Sequence, residues 1–480
     1  MNFKTIDRTQ IVFLQKRRRD DIGEVFLWDG KILRGIFPDA TDLVKGFFES
    51  GFVDHLVKEE LFPESWITEY ECDGYGLIVE HEKIWPIIYP QEWSFSMLQD
   101  AALVILKVAR IAREHGYNMK DCHGFNVLFD ENKPKFIDLG SFHKITYGSK
   151  GWEPYQEFLR FYYYPLFMWK DGLEYVAKLS IFSANLMPHS EHLIYKYRFL
   201  RFLSSGILDK IIKFKFAFSH LASKDYVYIQ NKTSNKNTFI RNSIKLGKRI
   251  INITGFMASQ DLGKFERKIK NIKRKNTMTQ WKDYHTGISR KKDRFDKIIE
   301  YVNCHCQDAK TAIDIAGNQG LFSKLLLSHT DIEKVICQDL DEQAIDIGYK
   351  NHRKNSENIS YVNYHSIAPI VKTTHPLPSE RFKCDIVFTL ALLHHLILSQ
   401  GFSIEDIFEE FGRYTNKYVC IEFMPKGLWV QGAEVKIPPW YTEEWFRERF
   451  KRYFEILKKE QIAENYIVYI GKLKEKACNG

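Results

Sequence analysis

Short apolar runs recur through the second half of the chain, beginning at residues 312, 335, 384 and 418. Stretches whose apolar residues fall at helical spacing separate them. Runs of four to six residues alternating with amphipathic helices predict a parallel sheet covered on both faces, because such strands have no solvent side to carry polar residues. Two late runs, 454–457 and 466–471, add further strands. The first half is patterned differently. Residues 76–80 and 83–89 predict paired strands that meet a short break at 90–93, and 95–115 predicts one long amphipathic helix. A hairpin follows, with a strand at 127–129, a polar turn at 130–134 and a second apolar run around Phe136. A chain of 480 residues exceeds one ordinary core. The expected organisation is an α+β domain over 1–200, a mainly helical basic connecting segment over 201–280, and an α/β, doubly wound domain over 281–480.

The densest chemistry lies where the first apolar run of the second half ends. Asp314 closes that strand, Ala316, Gly317, Asn318 and Gly320 form a small-residue turn, and the next strand ends in Asp339. An acidic residue at that distance from a first turn sits where nucleotide-binding sheets hold a ribose. Gly317 and Gly320, lacking side chains, permit close approach to the backbone. Further on, the run from 384 leads into the pair His394 and His395, expected to be exposed, and the run from 418 ends in Glu422. The order of these signals over about 280–475 resembles the class I S-adenosylmethionine-dependent methyltransferases, and an NAD-binding fold is the rival. The family turn is D-x-G-x-G-x-G; here Ala316 and Asn318 stand at the first two Gly positions, and Asn tolerates unusual backbone angles better than most residues. The resemblance implies S-adenosyl-L-methionine as cofactor. Asp314, Ala316, Gly317, Asn318 and Gly320 would border its methionine part, and Asp339 would take its ribose hydroxyls. His394 or His395 would be the base for a hydroxyl acceptor, and Glu422 would orient the acceptor or a His ring.

The first half carries a second constellation. Asp121, Asn126 and Asp138 are spaced as a catalytic carboxylate, an Asn five residues on, and an Asp-x-Gly after the next hairpin. Phosphoryl transfer uses this set: one carboxylate orients the attacking hydroxyl, while an amide oxygen and a second carboxylate hold Mg²⁺ on the phosphates. The D-x-H-x-x-N form resembles aminoglycoside- and choline-kinase-like enzymes, which implies Mg-ATP if this half is active. Residues 1–40 contain no G-x-G-x-x-G loop, and Lys31 and Arg34 are the candidates for a phosphate-binding cation. The alternative is that the three residues merely cap turns.

Residues 89–102, 136–142 and 390–395 together resemble nodulation-protein-type methyltransferases, in which a kinase-like half precedes a methyltransferase half. That resemblance implies a glycan or glycolipid acceptor on a bacterial surface or secreted product, methylated at a hydroxyl or a phosphate. Three readings stand. The chain is a methyltransferase with a kinase-like scaffold, a bifunctional kinase–methyltransferase, or a non-catalytic scaffold docking an anionic partner. Composition is that of a globular protein, 44% hydrophobic and 27% charged, and the 15% aromatic content suits carbohydrate or nucleotide surfaces as well as bulky cores. Residues 241–300 hold 17 Lys/Arg against 6 Asp/Glu, an excess larger than the +9 of the whole chain. This segment reads first as a solvated connecting helix and second as peripheral contact with an anionic membrane; nucleic acid is not expected, since no aromatic interleaving accompanies it. The eight cysteines form no C-x-x-C pair, and Cys304 and Cys306 fall in an expected helix, so free thiols are preferred to a metal site. No apolar run reaches the roughly 20 residues of a membrane span. The N-terminus lacks the apolar core of a secretion signal, so a cytoplasmic address is expected, with membrane association at the inner face as its variant.

Overall fold

The computed structural model describes residues 4–14, 21–145, 152–183, 186–197, 207, 261–275, 289–353, 357–372, 375–427 and 437–474. Residues 223–238, rich in Ser, Lys and Asn, read as an exposed loop; they and most of the expected connecting segment lie outside the described residues. The chain forms two compact units that interleave in sequence. Met1–Lys83, Leu98–Leu128 and Pro134–Lys275 make one; Ile84–Met97, Phe129–Lys133 and Asn276–Gly480 make the other. No described helix is long and apolar enough to cross a membrane.

The first unit holds five antiparallel strands: β1 (Val12–Phe13), β2 (Gly23–Trp28), β3 (Lys31–Ile36), β4 (Ser65–Ile67) and β5 (Leu77–His81). Their spatial order is β1-β2-β3-β5-β4, with helices α1 (Thr41–Glu49) and α2 (Phe52–Lys58) between β3 and β4 in the chain. Phe26, Trp28, Leu33 and Ile78 point to one side and bury Ile6 and Cys72 with them. Residues 83–89 form no strand, contrary to the expected pairing with 76–80. Both edges of β5 are already hydrogen-bonded, to β3 and to β4, so no edge is left for them. The long helix is present as α3 (Phe95–Glu114). The expected hairpin is β6 (Val127–Asp130) and β7 (Lys133–Phe136). Later helices are α4 (Tyr164–Lys170), α5 (Glu174–Phe182), α6 (His189–Lys196) and α7 (Leu262–Lys270). Phe265 of α7 packs edge-on against Tyr155 and Phe158, and the Gln99 amide donates to the carbonyls of Ile269 and Ile272 at 2.7 and 2.9 Å. That side chain satisfies acceptors the helix end cannot pair by itself.

The second unit is a seven-stranded sheet. Helix α8 (Ser289–His305) precedes β8 (Thr311–Ile315); α9 (Leu321–His329), β9 (Lys334–Asp339), α10 (Glu342–His352), β10 (Ile359–Asn363) and β11 (Cys384–Thr389) follow. Then come α11 (Ile404–Tyr414), β12 (Thr415–Phe423), α12 (Glu443–Tyr453), β13 (Phe454–Ala463) and β14 (Tyr466–Leu473). The order is β10-β9-β8-β11-β12-β14-β13; the first five strands are parallel and β14 runs antiparallel to both neighbours. One face is covered by Phe295, Ile298, Ile299 and Val302 of α8 with Phe322 and Leu326 of α9. The other packs Phe408 of α11 against Phe446 and Phe450 of α12. This is the doubly wound arrangement that the alternating runs predict. The terminal β13–β14 hairpin departs from the all-parallel six-strand order of dinucleotide-binding sheets.

Two segments from the first half of the chain are built into this unit. Glu92 accepts a two-pronged pair from Arg381, with Nη1 3.0 Å from Oε2, and both side chains are almost fully buried. The guanidinium also lies over the Tyr89 ring, 4.4 Å from its centroid. The backbone N–H of Phe95 donates to Glu342 at 2.8 Å, and that of Ser96 donates to Asp346 at 2.7 Å. These α10 carboxylates therefore serve the unpaired N–H groups at the start of α3, where negative charge is favoured. Asn132, at the tip of the hairpin, donates to the Ile359 carbonyl at 2.5 Å.

Removing one partner of a buried ion pair leaves an uncompensated charge, which costs about 3–5 kcal/mol. Arg381→Ala is therefore expected to lower unfolding free energy by about that amount in urea titrations. Arg413→Ala, which breaks exposed pairs with Glu409 and Glu410, should cost less than about 1 kcal/mol. Equal losses in the two variants would show that the Glu92–Arg381 pair does not hold these segments.

Candidate ligand site at the switch point of the sheet

In an open α/β sheet a ligand binds beyond the carboxyl ends of the strands, where the chain reverses its direction of winding. Here that point lies between β8 and β11, and the turns after these strands carry the residues singled out in the sequence. The first turn bends through left-handed backbone, with φ of +62° at Ala316, +54° at Asn318 and +81° at Gly320. It is held from β9. The Gly317 N–H donates to the Gln338 carbonyl at 2.9 Å, the Ala316 N–H to the Gln338 side chain at 3.3 Å, and the Asn318 N–H to Asp339 Oδ2 at 2.9 Å. Asp339 Oδ1 accepts from the Asp341 N–H at 2.7 Å. Both carboxylate oxygens thus have backbone donors, and the half-buried side chain keeps acceptor capacity toward the crevice.

The glycines are required by protein rather than by open space. A Cβ on Gly317 would stand 2.7 Å from Asp314 Oδ2 and 2.8 Å from Cys337 Sγ; one on Gly320 would stand 2.4 Å from the Tyr361 hydroxyl. Asp314 is buried behind the turn and accepts from Ser323 Oγ at 2.8 Å. Burial and the nearby Asp339 raise its carboxyl to about 7, which the Ser323 hydrogen bond only partly opposes. Burial likewise pushes Asp339 up to about 6 against the pull of its backbone donors. Gln338, Ser323 and Tyr361 were missed at the sequence level, since nothing in their spacing separates a turn-holding side chain from an ordinary strand or helix residue.

The second turn follows β11 and holds Ala391 at φ +54°. The His pair is not exposed, contrary to expectation. His394 is 5% exposed and His395 half-buried, with ring centroids 4.1 Å apart, because the chain turns back into the core through Leu393, Leu396 and Ile397. Burial, with His395 adjacent, lowers His394 to about 3, and burial lowers His395 as well. Both rings are therefore neutral at pH 7. Glu422 is fully buried on β12; its Oε2 accepts the Ala391 N–H at 2.9 Å, and its Oε1 lies 3.4 Å from Arg294 Nε. Burial raises the Glu422 carboxyl and Arg294 opposes this. Arg294 is itself held between Phe295 and Tyr466, 4.9 and 4.6 Å from their centroids. Glu422 thus fixes the turn before the His pair. Buried Thr389 Oγ1 and His394 Nδ1 have no hydrogen-bond partner among the described residues.

The first unit brings the second constellation together. Asn126 Nδ2 donates to Asp121 Oδ1 at 2.8 Å and lies 3.5 Å from Asp138 Oδ2. Arg34, reaching from β3, donates to Asp138 Oδ1 at 2.8 Å, and Gly140 N–H and Ser141 Oγ fill the remaining positions at 3.0 and 2.7 Å. Burial alone would raise Asp138, but Arg34, Ser141 and Gly140 outweigh it and hold the carboxyl below its ordinary value. Burial raises Asp121. Lys31 is engaged instead with Glu80 at 2.9 Å. Among the described residues no three His, Cys, Asp or Glu side chains converge as metal ligands, and Cys304 is exposed while Cys306 is buried.

No family model matches the chain. It is 24% identical over 440 residues to the nodulation protein NoeA of Rhizobium meliloti (strain 1021), spanning 85% of this chain and 84% of that protein. Among solved structures it is similar to the PH0226 protein from Pyrococcus horikoshii OT3, at 13% identity and TM-score 0.34 over 42% of this chain and all of that one. It is similar also to a SAM-dependent methyltransferase from Aquifex aeolicus, at 13% identity and TM-score 0.31 over 41% of this chain and all of that one.

Arg294→Ala would strand the buried Glu422 carboxylate, a loss of about 3–5 kcal/mol. Protonation relieves the stranded charge, and the folded-state pKa lies above the unfolded one. The stability contribution is therefore present at low pH and lost as pH rises through the folded value. The expected penalty in urea titrations is larger at pH 8 than at pH 5; a penalty independent of pH would remove Glu422 as its origin.

Proposed function

We propose that this chain is an S-adenosyl-L-methionine-dependent methyltransferase acting on a hydroxyl of a bacterial surface or secreted glycan. The observation that carries the reading is Asp339, a half-buried carboxylate at the carboxyl end of β9. Backbone N–H groups of Asn318 and Asp341 orient it beside a left-handed turn at the switch point. The donor set fits the cofactor: Asp339 would hold the ribose hydroxyls, and the Ala316–Asn318 turn would border the methionine part. When bound, S-adenosyl-L-methionine supplies an electrophilic methyl group on a sulfonium. The protein's part is to place an acceptor oxygen in line with it and to remove a proton. His395, neutral at pH 7 and less buried than His394, is the base for that proton. Glu422 and Arg294 act through the Ala391 turn as positioning residues. The glycan is what the resemblance to nodulation-protein-type methyltransferases implies, and the likeness to a nodulation protein runs over most of the chain's length.

One observation favours a second reading, in which the first unit also transfers phosphate. Asp121, Asn126 and Asp138 lie together, and Arg34 stands on the third strand of the small sheet, where kinases carry their phosphate-binding cation. That reading requires Mg-ATP to displace Arg34 from Asp138. Calorimetric Mg·ATP binding that is lost in Asp138→Asn would support it, and no heat with the wild-type protein would end it.

Charge-assisted hydrogen bonds contribute about 1.5–3 kcal/mol each. Asp339→Ala is expected to weaken S-adenosylhomocysteine binding at least about tenfold by calorimetry, with the fold checked by circular dichroism; equal affinity would sink the assignment. Asp339 accepts hydroxyls best when ionised, so wild-type affinity should fall as pH drops through about 6, and this pH dependence should vanish in Asp339→Asn. His395→Ala should keep cofactor affinity while losing methyl transfer to a glycan acceptor, and undiminished transfer would exclude it as the base.

A further inference from the structure

A cleft of about 520 Å³ in the first unit is lined by Tyr163, Phe167, Lys170, Lys264, Arg267 and Lys268. Its cations come from two elements, the end of α4 and one face of α7, so the fold gathers them rather than a single run of sequence. The carboxylates nearby are committed elsewhere. Glu266 faces Lys270 and Arg110 at 2.7 and 3.2 Å, and Asp171 holds Lys275 and the Tyr195 hydroxyl at 3.4 and 2.7 Å. Asp261 caps the start of α7 through the Lys264 N–H, with the Lys264 ammonium 3.9 Å away. Asp171 also faces the Lys170 ammonium, whereas Arg267 and Lys268 have no carboxylate within ion-pair distance among the described residues.

Positive charge is crowded at this cleft. Burial and the ammonium groups of Lys196 and Lys264 hold Lys268 below the ordinary lysine value, so each cation raises the cost of its neighbours. Lys170 and Lys196 lie over the Phe167 ring, 4.1 and 5.5 Å from its centroid, so the ring face draws both ammonium groups to the cleft. A concave surface carrying one sign of charge focuses its field on counter-ions. Arg267 adds a planar donor fork matched to two oxygens of a phosphate, and the lysines add point charges around it. Tyr163, Phe167 and Ile272 give the same cleft an apolar wall.

We propose that this cleft binds a phosphate-bearing ligand, with the phosphate between Arg267, Lys268 and Lys170 and the adjoining carbon skeleton against Tyr163 and Phe167. The assignment does not rest on the methyl-transfer reading, because every residue in it belongs to the first unit. The probe is inorganic pyrophosphate, titrated calorimetrically into the full-length protein at low salt. The expected result is saturable binding that weakens as salt rises. It should also weaken at least about tenfold in the double variant Arg267→Gln, Lys268→Gln, whose exposed positions leave the α7 core side chains Phe265 and Ile269 in place. Lys270→Gln removes one of the positive charges of α7, at a residue paired with Glu266 outside the cleft lining, and should change affinity less than about twofold. Absence of binding to the wild-type protein, or an equal loss in Lys270→Gln, would overturn the proposal. Sedimentation with phosphatidylglycerol but not phosphatidylcholine vesicles, reversed by pyrophosphate, would assign the phosphate to a lipid headgroup. Pyrophosphate binding without vesicle binding would assign it to a soluble ligand.

Discussion

A carboxylate placed inside a protein must be met by donors, because water no longer meets it. The large sheet puts three of them at the carboxyl ends of its strands: Asp314, Asp339 and Glu422. Each is answered from a neighbouring turn or helix. Ser323 serves Asp314, the Asn318 and Asp341 N–H groups serve Asp339, and Ala391 N–H with Arg294 serves Glu422. The two turns at the switch point take their shapes from these bonds. Positive φ at Ala316, Asn318 and Ala391 costs backbone energy that the buried hydrogen bonds offset. The acids that look like ligand contacts in the sequence are thus also the frame that shapes the crevice.

The same logic explains why segments of the first half fold as part of the second unit. Arg381 is buried and requires an anion, which Glu92 supplies; Glu342 and Asp346 face inward from α10 and require donors, which the start of α3 supplies. The helix α10 begins three residues after Asp339. Side chains that anchor residues 84–97 therefore also anchor the element that follows the proposed ribose-binding acid.

The first unit shows how one arrangement admits two chemistries. Asp121, Asn126 and Asp138 stand as phosphoryl transfer would need them, yet Asp138 is already neutralised by Arg34 and satisfied by Ser141 and Gly140. An ion pair 2.8 Å long between largely buried groups does the electrostatic work that a bound cation would otherwise do. Any ligand entering there must compete with it.

Periodicity alone located the strands whose apolar runs begin at 312, 335, 384 and 418, because a strand buried on both faces has no solvent side to alternate with and reads as a mainly apolar run. The turn after β8 was legible for a similar reason. Ala316, Asn318 and Gly320 adopt positive φ, and small or amide side chains tolerate it. Tertiary structure decided what spacing does not encode. It buried His394, because the residues after it turn inward; it gave Glu422 to Arg294, 128 positions away in the chain; and it denied residues 83–89 a strand, because β3 and β4 had taken both edges of β5. Hydrophobic period reports which face of one element is covered. Which partner covers it, and which buried charge finds which donor, is set only when distant segments meet.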